Sequence, residues 1–146
     1  DVSGHTIGHL AYYIESAKAV FTADSLMALG CGRLFEGTAE QMWTSLSRLA
    51  SLPPETKVFS GHEYTAANAR FALTIEPDNT DLISRVEDIA AMRASGLPTV
   101  PSTLATELAT NPFLRAKDRG IRSMLDMNDA ADFQVFGEIR ARKDAF

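Results

Sequence analysis

The chain has 146 residues, 45% hydrophobic and 23% charged, which is ordinary globular composition and enough for one domain or a small pair. Its formal net charge of −5 argues against nucleic acid or an anionic membrane surface as partner, because neutralising phosphates takes a basic face. No apolar run reaches the length of a membrane span, no signal peptide is visible, and the single cysteine, Cys31, excludes an internal disulfide and fits a reducing, cytoplasmic setting.

The start is Asp1 rather than Met, and an apolar segment follows almost at once, so the chain reads as a later portion of a longer protein. His9 to Ile14 and Lys18 to Thr22 are short, aromatic and β-branched, and are separated by Glu15, Ser16 and Ala17; they read as paired strands, with Asp24 just past the second. Gly30 to Gly37 carries three glycines and reads as a shaped loop. Thr38 with Gln41 forms a capping box that opens a helix, with Met42, Leu46 and Leu49 on its buried face and Pro53 and Pro54 beyond its end. Lys57, Val58 and Phe59 form an extended run, and His62 lies beyond it, behind Gly61.

After His62 the apolar spacing changes from two to three or four. Ala67, Phe71 and Ile75 mark one helix ending before Pro77, and Leu82, Val86, Ile89 and Met92 mark a second ending near Gly96. Leu97 to Pro101 is an extended connector, since proline restrains itself and its predecessor. A short helix over Leu104 to Leu108, a turn at Asn111 and Pro112, and a last helix from about Ala130 through Phe133, Phe136 and Ile139 to Arg140 complete the reading. Charge is uneven: residues 111–146 hold seven Lys/Arg against six Asp/Glu, whereas residues 1–110 hold seven against thirteen, so the C-terminal stretch is the place for an anionic ligand.

Three residues stand out chemically. His5, Asp24 and His62 each lie outside a strand among small residues, and imidazole with carboxylate suits zinc, iron or manganese, the carboxylate having two oxygens with which to bridge two ions. Spacing alone leaves both a metal site and a chance scatter open. Cys31 reads as a small buried hydrophobe rather than a nucleophile.

Six motifs in order carry a resemblance. Gly4 to His9 (GHTIGH), Phe21 to Asp24 (FTAD), Gly30 to Thr38 (GCGRLFEGT), Gly61 to Thr65 (GHEYT), Asn111 to Arg115 (NPFLR) and Arg140 to Phe146 (RARKDAF) together resemble the glyoxalase II family, the hydroxyacylglutathione hydrolases of the metallo-β-lactamase superfamily. The resemblance implies an α/β fold in which residues 1–62 are the later part of an αβ/βα sandwich and residues 63–146 form an all-helical domain that binds a glutathione thioester.

It also implies roles. His5 and His62 would each complete the coordination of one divalent ion, zinc first with iron or manganese as alternatives, and Asp24 would bridge the two. His9 would hold the loop by hydrogen bonding rather than ligate. Tyr64 would give its hydroxyl to glutathione, Arg33 stands where the family usually has Lys, and Arg140 and Lys143 would meet the glycine carboxylate from one helix face. Phe35 replaces a family Tyr, which removes a hydroxyl contact. The family's first metal motif, Thr-His-x-His-x-Asp-His, is absent from these residues and is expected upstream, so the intact protein, not the 146 residues alone, is the expected enzyme. The implied reaction is hydrolysis of S-D-lactoylglutathione and related 2-hydroxyacyl thioesters by hydroxide activated between the ions, the second step of methylglyoxal detoxification, in a monomer.

Other readings stand beside these. Tyr64 at a helix start could pack against the sheet, and Arg140 and Lys143 in a last turn could serve only the helix dipole. Within the superfamily, a mononuclear-iron persulfide dioxygenase is the alternative, although such relatives are expected to lack the long helical tail. A non-catalytic fragment or binding module is the alternative from another class.

Overall fold

The computed structural model describes residues 1–146, and the two halves share one core. Strands β1 (Tyr12–Ile14) and β2 (Ala19–Ala23) pair antiparallel, and a short 3-10 turn over Glu15–Ala17 joins them. Strand β5 (Lys57–Ser60) runs parallel to β2, with Val20 opposite Val58 and Phe21 opposite Phe59. Side chains alternate across this pair: Val20 and Val58 are buried, while Phe21 stacks on Phe59 on the outer face with ring centroids 4.9 Å apart.

Between β2 and β5 come a hairpin of β3 (Leu26–Met27) and β4 (Gly30–Cys31), and helix α1 (Ala39–Ala50). The glycine-rich stretch therefore begins as a strand; its remainder, from Gly32 to Gly37, is loop. Thr38 caps α1 through the expected box: its hydroxyl accepts from the Gln41 amide, and the Gln41 side chain accepts from the Thr38 amide at 2.9 Å.

The remaining helices are α2 (Thr65–Ile75), α3 (Thr80–Ala94), α4 (Leu104–Thr110), α5 (Arg119–Met124) and α6 (Asp132–Ala145). Asn79 caps α3 and Asp118 caps α5, each side chain accepting two backbone amides. Helix α5 is not foreseen by the periodicity, because it is six residues long, holds Gly120 in its first turn and buries only Ile121. Helix α6 runs a turn beyond Arg140, and its buried side is Val135, Phe136, Ile139 and Arg140; Phe133 is only half-buried at its edge.

The largely helical second half also supplies β6 (Ser102–Thr103), which pairs antiparallel with β5 and closes the sheet order β1-β2-β5-β6. One hydrophobic cluster runs from Val2, Val20 and Val58 through Met42 and Leu46 to Phe71, Phe113, Phe136 and Ile139. Each such fully buried side chain contributes about 1.5–3 kcal/mol relative to exposure. A second cluster seats Leu29, from the tip of the β3–β4 hairpin, among Ala69, Ala72, Leu82 and Ile89.

Candidate metal and thioester site

Two strand ends bring Asp24 and His62 together. The β2–β5 ladder slips between Phe21 and Ala23, and Ala23 takes a left-handed φ of 45°, which turns Asp24 off the sheet edge. Opposite, the Gly61 amide donates to the Ala23 carbonyl at 2.9 Å. Glycine is required on both sides by close approach: a Cβ at Gly61 would lie 2.7 Å from Asp24 Oδ1, and one at Gly32 would meet the Asp24 carbonyl and lie 2.7 Å from His5 Nδ1.

Asp24 directs one carboxylate oxygen to each histidine. His5 Nε2 is 3.6 Å from Oδ2, and His62 Nε2 is 3.3 Å from Oδ1. His5 Nδ1 is 2.8 Å from the Arg33 carbonyl, which only accepts, so Nδ1 carries the hydrogen. With the hydrogen on Nδ1, Nε2 is the nitrogen free to offer a lone pair to a cation held between it and the carboxylate oxygen. Two donors on a tetrahedral ion with bonds of about 2.0–2.1 Å stand about 3.3 Å apart, close to both observed gaps.

The donor set therefore fits divalent ions, one per imidazole, with Asp24 between them. No group of three or more His, Cys, Asp or Glu encloses a single point, so these residues by themselves would supply only part of an ion's shell. His9 accepts from the Asp24 amide through Nε2 at 3.3 Å and bonds Thr6 Oγ1 through Nδ1 at 3.2 Å, fixing the backbone at Asp24.

The other four predicted residues, Arg33, Tyr64, Arg140 and Lys143, line the same cavity of about 680 Å³. Tyr64 does not pack against the sheet. Its ring lies flat on His62, centroids 4.6 Å apart and planes at 3°, with half of the residue exposed. Lys143 sits over the rings of Phe71 and Phe146, 5.2 and 5.1 Å from their centroids. Burial lowers its pKa, and the charges of Arg140, Arg70 and Arg33 push the same way, so the site favours an arriving anion.

Arg140 is buried and mostly partnered: Nη1 donates to the Cys31 carbonyl at 2.8 Å and Nη2 to Asp144 at 3.0 Å, while Nε has no partner. Arg33 is exposed, with Nε 3.5 Å from the same Asp144 carboxylate. Phe35 stands exposed beside the His5 ring at 5.0 Å. Burial pushes the Cys31 thiol up to about 12, against the opposing charge and hydrogen bond of Arg140, which leaves it inert as a nucleophile.

Sequence reasoning missed Asp144, Arg70 and Asn68 in this cavity. The i, i+4 spacing of Arg140 and Asp144 was a readable signal, as was the i, i+3 spacing of Ala67 and Arg70 on one face of α2. Asn68 gave no such signal, since its role is a contact with a distant turn.

Residues 63–146 match the family described as hydroxyacylglutathione hydrolase C-terminus, and residues 1–62 match the metallo-beta-lactamase superfamily. Over all 146 residues the chain is 76% identical to the hydroxyacylglutathione hydrolase of Roseobacter denitrificans, 64% to that of Ruegeria pomeroyi and 68% to that of a Jannaschia species. It spans 57% of the length of each of these curated relatives. By the match over its helical half, the chain belongs to the hydroxyacylglutathione hydrolase family, glyoxalase II.

Proposed function

We propose that the whole protein hydrolyses S-D-lactoylglutathione and related 2-hydroxyacyl glutathione thioesters to glutathione and the 2-hydroxy acid. The observation that carries this reading is the single cavity in which the His5, Asp24 and His62 donors meet Arg33, Tyr64, Arg140 and Lys143. In this reading residues 1–62 supply metal ligands and residues 63–146 recognise glutathione, with further ligands coming from the part of the relatives that this chain does not match. Two ions suit the carboxylate better than one, because its oxygens face different histidines, and this disfavours the mononuclear-iron alternative. Zinc is our first choice for His and Asp donors, which also accept iron or manganese.

Divalent ions at His5, Asp24 and His62 would lower the pKa of bound water and polarise the thioester carbonyl. The chain's own residues do the placing. Arg33 holds the His5 ring through its carbonyl, His9 holds the Asp24 backbone, and Tyr64 covers one face of His62. Lys143 receives the glycine carboxylate, remote from the reacting carbon, so its binding energy serves to orient the thioester. The glutathione thiolate leaves without a strong general acid, and the lone free cysteine suits a reducing, cytoplasmic setting, in which we take the protein to act as a monomer.

The test is turnover of S-D-lactoylglutathione by the whole protein, followed as glutathione released, before and after removal of metal with a chelator. Glutathione release that stops on chelation and returns with zinc supports the reading. A metal-loaded protein that releases none sinks it.

A further inference from the structure

The hairpin of β3 and β4 is gripped almost entirely by side chains from the helical half. Asn111 Nδ2 donates to the Met27 and Gly30 carbonyls at 3.1 Å each, Asn68 Nδ2 to the Ala28 carbonyl at 3.0 Å, and Arg140 Nη1 to the Cys31 carbonyl at 2.8 Å. The one amide in the grip, that of Leu29, donates to Glu107 Oε2 at 2.9 Å. Glu107 is fully buried, and it is held in turn by Arg85 Nη2 at 2.5 Å and Asn111 Nδ2 at 3.1 Å.

The turn being gripped is strained. Leu29 adopts a left-handed φ of 55°, rare for a branched residue, and its side chain is fully buried against α2 and α3. Glu107 is the acceptor for its amide, so a carboxylate from α4 holds the turn beside the Met27–Gly30 ladder pair that closes it. Two residues beyond the hairpin's end, the chain reaches the metal ligands: Gly32 packs on the His5 ring, the Arg33 carbonyl fixes His5 Nδ1, and the Phe35 amide donates to the His5 carbonyl at 3.2 Å.

We propose that Glu107 is a positioning residue for His5: by holding the Leu29 amide, the helical half sets where Gly32 and Arg33 lie, and so where the His5 imidazole points. The inference rests on His5 being a metal ligand, as proposed above. Glu107 touches neither a candidate ligand nor the substrate cavity; it acts through the hairpin. Glu107→Gln isolates the effect at constant volume. Its amide keeps one oxygen, which the Arg85 charge claims, and turns its NH₂ against the Leu29 and Asn111 donors.

The experiment measures zinc affinity of the whole protein by competition with a chromophoric chelator, and hydrogen exchange of the Phe35 amide in the metal-free protein. Leu125→Ala, which opens the main core beside α5 and lies outside the cluster that seats Leu29, serves as the control for general destabilisation. In Glu107→Gln one zinc equivalent is expected to weaken by about 10–100-fold, as when a partner of a metal-bound histidine is lost, while the other stays within about twofold. The Phe35 amide should exchange faster, and Leu125→Ala should change neither readout. If Glu107→Gln does not fold, Glu107→Asp, which keeps a charge for Arg85 but draws the carboxylate back from the Leu29 amide, takes its place with the same expectations. A loss of thermal stability with unchanged zinc affinity and unchanged Phe35 exchange overturns the proposal. If the wild-type protein binds no zinc, iron or manganese, the metal reading itself has failed, and Phe35 exchange alone then decides whether Glu107 positions the His5 loop.

Discussion

Gly61 lies directly against Asp24, so close that a methyl group at Gly61 would sit 2.7 Å from the carboxylate oxygen that faces His62. Gly61 has no left-handed φ, so alanine fits its backbone and acts only by crowding the carboxylate. Gly61→Ala in the whole protein is expected to cut turnover by about 10–100-fold, as misplacement of reacting groups does, with little change in thermal stability. Turnover within twofold of wild type would show that the carboxylate need not stay where it is.

Asp24→Ala removes the oxygens that face both histidines. Zinc content should fall and turnover should drop further than in Gly61→Ala, while His5→Ala or His62→Ala should release one ion preferentially. Metal analysis beside steady-state kinetics checks this, and full metal content with unchanged turnover in Asp24→Ala would exclude a bridging role.

Much of this arrangement was legible beforehand. The capping box at Thr38 and Gln41, the strand pair ending at Asp24, and the glycine before His62 are local signals, and each lies where local chemistry put it. What stayed hidden is long-range. The strand Ser102–Thr103 has no alternation to announce it and exists because β5 has an open edge beside it. Asn68, Glu107 and Asn111 looked like ordinary helix and turn residues, since their partners are 40, 78 and 84 positions away in sequence. Motif resemblance is what pointed to Tyr64 and Lys143, which periodicity could not single out, and both line the cavity.

For Lys143, the expected loss in Lys143→Ala is that of a charged hydrogen bond, about 1.5–3 kcal/mol, seen as a raised KM for the glutathione thioester. Turnover should change much less, because the contact is equal in ground and transition states. The effect should disappear with a thioester lacking the glycine carboxylate. Lower thermal stability with an unchanged KM would leave Lys143 as a helix-end charge only.

The depressed pKa of Lys143 adds a pH prediction. The folded site binds this proton less readily than the unfolded chain, so its cost to stability is full at low pH and is relieved as pH rises from the folded pKa towards the ordinary 10.5. Affinity for the thioester should weaken over the same range, beginning below the pH at which an exposed lysine titrates. Kinetics of wild type and Lys143→Ala across alkaline pH would show it as two KM curves that converge; curves that stay parallel would contradict it.

Glu63 ties the connector to the start of α2. Burial would raise its pKa, but the Thr99 hydroxyl and amide, with the Arg93 charge, outweigh that and hold it below the usual 4.5. Its contribution to stability is therefore present above 4.5 and lost as pH falls through the lower folded value. Glu63→Gln should lower the melting temperature near neutrality and approach wild type under acid conditions, as thermal melts at several pH values would show. A deficit independent of pH would mean that the charge plays no part.

The central claim is that one cavity joins metal chemistry to recognition of glutathione. It is tested most directly by comparing kcat/KM of the whole protein for S-D-lactoylglutathione with that for the lactoyl thioester of N-acetylcysteamine, which keeps the reacting bond and lacks both carboxylates. We predict that the truncated thioester is hydrolysed at least about a hundredfold less efficiently, in line with losing charged contacts, and that chelation abolishes both reactions. Equal efficiency on the two thioesters, or hydrolysis that survives removal of metal, would contradict it.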